Sequence, residues 1–78
     1  SLGMERIIIS GRFNAKTIAI WLKMPLTNLK ELNPNMDQQL ATGKSYTLVL
    51  PTKEAILFEA HKNQILQASI QSLYLDND

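Results

Sequence analysis

Residues 29–51 of this 78-residue chain read LKELNPNMDQQLATGKSYTLVLP, and they carry its strongest local structural signals. A short helix is predicted from about residue 26 to residue 32, with its leucines facing inward. Asn33-Pro34 ends this helix, because the residue before a proline disfavours helical backbone angles. A polar loop is predicted over 35–44. Apolar and polar side chains then alternate over 45–50, which predicts a strand.

The preceding part of the chain predicts a second strand and another helix. The β-branched run at Ile7–Ile9 is typical of a short buried strand, here placed at residues 7–10. Asn14 is a plausible helix N-cap, and Pro25 should stop the helix at about residue 23. The apolar residues of that helix recur on one face, at Ala15, Ile18, Ala19 and Leu22. Two strands with two helices between them predict an α+β domain, with a two-stranded antiparallel sheet and both helices on one of its faces.

The last third of the chain predicts a long helix over about residues 52–74, which contains no glycine or proline. Thr52 followed by Glu54 suggests its start. Its apolar surface is wider than one small sheet covers, so we expect it to pack on the βααβ unit of residues 6–51 and also on a partner or a second copy. Residues 1–5 are expected to be a flexible N-terminal remnant, and residues 76–78 a frayed acidic end.

Composition limits the possibilities only broadly. The chain carries a net charge of +1, is 45% hydrophobic and has no cysteine, which fits one small folded domain without disulfide or metal support. The basic excess lies in the first 44 residues and is weak evidence for a polyanionic partner. No apolar run approaches the roughly 18 residues of a membrane span. Charges interrupt the apolar run of residues 4–12, so no signal peptide is expected there.

Catalytic and metal-binding patterns find little support in the sequence. His61 is the only histidine, and Glu54 would lie on roughly the same side of its helix, but no nucleophile stands at a fixed spacing from them. The carboxylates show no pairing suited to glycoside hydrolysis, and three glycines form no phosphate-binding loop. We therefore expect no enzyme activity, cofactor or metal in this chain.

Ligand binding is the open possibility, and two predicted loops at one end of the βααβ unit are the candidates. One loop contains Gly11, Arg12, Phe13 and Asn14, and the other contains Asn33, Asn35 and Met36. Carbohydrate recognition needs polar groups on a rigid rim beside an apolar platform. Structural interpretations compete at several positions, because Phe13 and Met36 suit a core and Asn33 suits a helix end that bonds its own backbone. Trp21 is a possible stacking platform, although in so small a domain it suits a half-buried position.

The pattern from Ala15 to Pro51 resembles the LysM family of small βααβ modules. TIAIWLKMPLTNLKELNP is followed by a loop and a strand that ends in proline. The segment GKSYTLVLP with the following KEAILFEAHKNQIL also resembles the region after the catalytic domain of membrane-bound lytic murein transglycosylase D proteins. The usual Gly-Asp-Thr after the first strand is absent, and Ser10-Gly11-Arg12-Phe13 stands near its place.

This resemblance implies a non-catalytic module of a bacterial cell-wall lytic enzyme, located in the periplasm or cell envelope. Its expected ligand is peptidoglycan or a chitin-like oligosaccharide that contains N-acetylglucosamine, and its expected partner is the catalytic domain of the same parent protein. Carried over by position, the glycan-binding residues are Gly11, Arg12, Phe13, Asn14, Asn33, Pro34, Asn35 and Met36.

Two other interpretations remain open. Residues 17–32 superficially fit a helix-turn-helix DNA-binding motif, although the second helix is short and the flanking strands fit a three-helix core poorly. Alternatively, the domain is a spacer or protein-interaction module that has lost glycan binding. It would then act through the residue 52–74 helix, as a monomer or as a homodimer.

Overall fold

The structure, a computed structural model, describes residues 2–75. Within that range it contains a strand, three helices, a second strand and a long helix, in that order. These elements are β1 (Met4–Ile9), α1 (Ala15–Leu22), α2 (Leu26–Leu32), α3 (Met36–Ala41), β2 (Tyr46–Pro51) and α4 (Thr52–Leu75). The predicted α+β class is confirmed. The predicted acidic end at 76–78 lies outside the described residues.

β1 and β2 form the predicted two-stranded antiparallel sheet, with Ile7 opposite Leu48. One face of the sheet is buried through Ile9, Leu48 and Leu50. The other face is open, since Ile8 is 72% exposed. Because side chains alternate along a strand, all the helices must cover the same face.

β1 begins earlier than predicted, so the expectation of a flexible segment over residues 1–5 is wrong for Met4 and Glu5. These two residues pair with the last two residues of β2. The backbone N–H of Thr52 also donates to the carbonyl oxygen of Gly3 at 3.1 Å. The sequence signal at Ile7–Ile9 marked only the apolar half of the strand.

α1 has the predicted cap and the predicted buried face. The side chain of Asn14 accepts a hydrogen bond from the backbone N–H of Thr17 at 2.8 Å, which satisfies one free donor of the first turn. The helix ends at Lys23, whose φ of 54° is left-handed. The backbone N–H of Met24 then bonds back to the carbonyl of Ala19 at 3.1 Å, as in a Schellman-type helix end.

The predicted loop over 35–44 contains a third helix, so the expectation of two helices between the strands is wrong. Asn35, with a φ of 63°, reverses the chain after Pro34 and starts α3. Met36 and Leu40 lie one helical turn apart and are both buried. Their burial against the rest of the domain stabilises a segment whose remaining side chains are polar.

α4 confirms the predicted C-terminal helix and is bent. His61 interrupts it with a non-helical φ of −121° and ψ of 17°. On either side of this bend, Phe58 and Ile65 are completely buried. α4 runs along α1 and both strands, and the ring centroids of Phe13 and Phe58 lie 5.5 Å apart. Over residues 2–75, no helix is both long enough and apolar enough to cross a membrane.

Candidate functional site

The two loops predicted to bind ligand lie side by side, and Asp37 joins them. Asp37 stands in the first turn of α3, immediately after the second loop. Its Oδ1 accepts a hydrogen bond from the backbone N–H of Ala15, directly after the first loop, at 2.8 Å. This contact fixes the spacing of the two loops and places a carboxylate at the N-terminus of α1, where the helix dipole stabilises negative charge.

Two depressions lie next to this junction and share Asp37 as a lining residue, and together they are called the groove. The polar depression has a volume of about 200 Å³. It is lined by Ala15, Lys30, Asn33, Asn35, Met36, Asp37 and Gln38. The apolar depression has a volume of about 260 Å³. It is lined by Arg12, Phe13, Asn14, Asp37, Ala41 and Leu73.

Asn33 is a structural residue of this groove, because its side chain bonds to the backbone and is only 1% exposed. Its Nδ2 donates to the carbonyl oxygens of Leu29 at 3.0 Å and Val49 at 2.9 Å. Its Oδ1 accepts from the backbone N–H of Val49 at 2.7 Å. The side-chain amide therefore makes the hydrogen bonds that a neighbouring strand would make to Val49 at the outer edge of β2. Both N–H groups of its Nδ2 are used.

Phe13 and Met36 belong to the core, as the structural interpretation of the sequence proposed. They are 3% and 2% exposed, respectively. Pro34 and Asn35 are exposed, and the carbonyl oxygen of Pro34 accepts from the Tyr46 hydroxyl at 3.4 Å. Burial raises the pKa of the Tyr46 hydroxyl above its ordinary value of 10.0. The second loop therefore offers a ligand mainly its exposed tip.

The last turns of α4 hold the first loop in place. The backbone N–H of Asn14 donates to Ser69 Oγ at 3.3 Å. The Nδ2 of Asn14 donates to Ser72 Oγ at 2.8 Å and to the Ser69 carbonyl at 3.4 Å. Gly11 has a φ of 98°, and a Cβ there would lie 3.4 Å from Cδ1 of Leu66. Both ends of the first loop are therefore packed against α4, with Arg12 between them.

Five exposed side chains border the groove, and a ligand can reach all of them. They are Arg12, Lys30, Asn35, Asp37 and Gln38. Sequence analysis selected only the first and third of these. It missed Asp37 and Gln38 because residues 35–44 were predicted as a loop, so that these side chains had no defined direction. It missed Lys30 because only the two loops were considered, and Lys30 lies on the predicted second helix. The spacing of Met36 and Leu40 was the available signal for α3.

The other residues considered for chemistry lie elsewhere. The rings of Trp21 and His61 pack with their centroids 5.6 Å apart, so His61 contacts an aromatic ring at the bend of α4. Trp21 is 38% exposed and is absent from the lining of either depression. In the part of the chain that the structure describes, no three His, Asp or Glu side chains cluster as metal ligands would.

A second groove lies at the opposite edge of the sheet, between β1 and the first turns of α4. It has a volume of about 590 Å³. Its most exposed apolar residues are Ile8 and Ile56, at 72% and 66%. Both backbone groups of Val49 bond to Asn33, on the side away from β1. Val49 and Arg6 therefore form a pair without hydrogen bonds between them in the antiparallel ladder, and the backbone groups of Arg6 point away from β2. β1 therefore presents a free edge to this groove.

Searches of protein-family models, of curated proteins and of solved structures each give no significant match to this chain.

Proposed function

We propose that this chain is a LysM-like, non-catalytic module that binds peptidoglycan or a related glycan containing N-acetylglucosamine. The observation that carries the proposal is the junction at Asp37, where the two loops form one groove. The groove combines exposed hydrogen-bonding side chains with an apolar floor from Ala41 and Leu73. Sugars present both hydroxyl groups and apolar ring faces, so this combination suits them.

The proposed ligand contacts differ from those that the resemblance implies. Arg12 and Asn35 are retained as contacts. Asn33, Phe13 and Met36 act indirectly, since they hold the loops and contribute to the core. Lys30, Asp37 and Gln38 are added. In a bacterial envelope, such a module would hold the glycan near the catalytic domain of a parent lytic transglycosylase.

Titration of the ¹⁵N-labelled domain with chitin oligomers and with muropeptides tests this proposal. Binding at the groove shifts the backbone amides of residues 11–15, 33 and 35–38 and leaves those of 56–60 unchanged. The variant Gln38→Ala should weaken binding, whereas Gln64→Ala, which changes an exposed glutamine on α4 outside the groove lining, should not. At millimolar ligand, unchanged amides in both loops would favour a structural spacer.

A second candidate function is self-association through the free edge of β1. Ile8 and Ile56 are apolar, exposed and adjacent to that edge. A second copy supplies the same edge, and two such strands can pair antiparallel about a two-fold axis. Sedimentation of the domain with and without Ile8→Lys tests this: a dimer that the substitution dissociates supports it, and a monomer at millimolar concentration contradicts it.

A further inference from the structure

We infer that the ligand of the groove carries a carboxylate group, which Arg12 binds. This inference rests on the proposed glycan-binding function and makes its substrate class narrower. It predicts a preference for an acidic glycan, such as one with a lactyl carboxylate or a peptide stem, over a neutral chitin oligomer of the same length.

The charges around the groove support an acidic ligand. Arg12 borders the apolar depression, and Lys30 borders the polar depression. Within residues 2–75, Asp37 is the only acidic side chain that lines either depression, and its Oδ1 already accepts from Ala15 N–H at the start of α1. The helix dipole and this hydrogen bond compensate part of its charge. A carboxylate on the ligand would therefore neutralise one of the two basic groups that border the depressions, which a neutral glycan cannot do.

Arg12 is better suited than Lys30 to bind that carboxylate. A guanidinium group donates two parallel hydrogen bonds to a carboxylate, which an ammonium group cannot do. The neighbours of Arg12 are fixed, because Gly11 lies against Leu66 and Asn14 bonds to Ser69 and Ser72. Fixed neighbours reduce the backbone entropy that is lost when a ligand binds. Among residues 2–75, the Arg12 side chain is exposed and takes part in no hydrogen bond.

The apolar depression also suits the group that would carry the carboxylate. Its floor contains Ala41 and Leu73, which offer contact to the methyl group of a lactyl ether or to the first side chain of a peptide stem. The polar depression then accepts the adjoining N-acetylated sugar beside Asn35 and Gln38. The two depressions thus match two chemically different parts of one ligand.

Isothermal titration with four synthetic oligomers of equal length tests the inference. The first is a neutral β-1,4-linked N-acetylglucosamine tetramer. The second alternates N-acetylglucosamine with N-acetylmuramic acid that has free lactyl carboxylates. The third has those carboxylates converted to methyl esters, and the fourth carries a dipeptide on each. At least one of the two acidic oligomers, the second or the fourth, should bind about fivefold more tightly than the neutral tetramer and the ester, which corresponds to about 1 kcal/mol for an exposed ion pair.

Substitution of Arg12 assigns the preference to its side chain. Arg12→Gln should remove the advantage that the preferred acidic oligomer has over the methyl ester, because the ester keeps the other contacts of the ligand and lacks the charge. Lys53→Gln makes the same charge change on α4, away from the groove lining, and should preserve the advantage. Comparison of the second and fourth oligomers shows whether the lactyl or the peptide carboxylate is bound, because Arg12→Gln lowers the affinity only for the oligomer whose carboxylate contacts Arg12.

The outcomes separate this inference from the proposed function. If all oligomers bind equally and Arg12→Gln weakens none selectively, glycan binding stands and the carboxylate inference is overturned. If no oligomer binds at millimolar concentration, while the amide spectrum confirms a folded domain, both fail. A preference that survives Arg12→Gln but is lost in Lys30→Gln would also overturn the assignment to Arg12.

Discussion

Replacement of Asn33 by alanine should destabilise the whole domain, although the residue belongs to a predicted binding loop. The substitution removes three hydrogen bonds, to the Leu29 carbonyl and to both backbone groups of Val49. Asn33 is 1% exposed, so water cannot simply replace its amide. A buried polar group left without a partner costs about 1–3 kcal/mol.

The lower end of this range applies, because Val49 is only half-buried and can recruit some water. Three groups at about 1 kcal/mol each give a loss of about 3 kcal/mol in the free energy of unfolding. A chain of this length has a total stability of roughly 4–12 kcal/mol, so the loss is a large share of it. The melting temperature should fall by more than about 10 °C.

Urea denaturation provides the assay, with the fluorescence of Trp21, the only tryptophan, as the signal. Asn28→Ala is the matched control, because Asn28 is an exposed asparagine on α2, the helix that Asn33 ends. The control should change the free energy of unfolding by no more than about 0.5 kcal/mol. If Asn33→Ala is equally harmless yet abolishes glycan binding, Asn33 is a direct ligand contact and the reasoning from its hydrogen bonds is refuted.

Four further predictions follow from the same contacts. Phe13→Ala should cost about 3–5 kcal/mol in urea denaturation, because the ring is 3% exposed and packs on Phe58; a loss below about 1 kcal/mol would contradict its core position. Asn14→Ala should lower the free energy of unfolding by about 1–2 kcal/mol, because the cap of α1 is lost. A double-mutant cycle with Ser72→Ala should give a coupling energy of at least about 0.5 kcal/mol, and strict additivity of the two substitutions would contradict their hydrogen bond. The raised pKa of Tyr46 means that the folded state holds the phenolic proton more tightly than the unfolded state, so this contribution to stability is complete below pH 10.0 and is lost as the pH rises through the folded-state pKa. Tyr46→Phe should remove that part of the pH dependence of the free energy of unfolding. The same pH dependence in the variant and in the original protein would contradict the prediction. The alternative DNA-binding hypothesis predicts retention on a duplex-DNA column that falls steeply as the salt concentration rises. We expect weak retention, because the acidic residues Glu31 and Glu54 line one depression next to α2.

Local sequence signals predicted most of the fold, because they depend on residues close together in the chain. Asn14 marks the start of α1, and Asn33-Pro34 marks the end of α2. The strands followed from a β-branched run and a period of two. α3 was missed because only two of its side chains are buried, and because the tertiary packing of Met36 and Leu40 outweighs the polar character of the rest.

The candidate site was harder to predict, because its main contacts join distant parts of the sequence. Asn33 bonds to Val49, sixteen residues away, and Asn14 bonds to Ser72, fifty-eight residues away. Both asparagines were candidate ligand contacts from their place in the loops and from the resemblance, and both also had a predicted structural role at a helix end. Their side chains bond to the protein itself. Spacing in the sequence does not reveal such partners, since an asparagine that faces solvent and one that faces a strand edge have the same local pattern.

The dependence of the groove on α4 changes how the domain should be divided. The sequence suggested a βααβ unit over 6–51 with an added helix, which implies that the unit is complete without the helix. In the structure, Leu73 lines the apolar depression and Ser72 bonds to Asn14. Phe58 and Ile65 of α4 also belong to the central core. Removal of α4 would therefore expose that core and release the loop that holds Arg12, so the groove and the C-terminal helix form one folding unit.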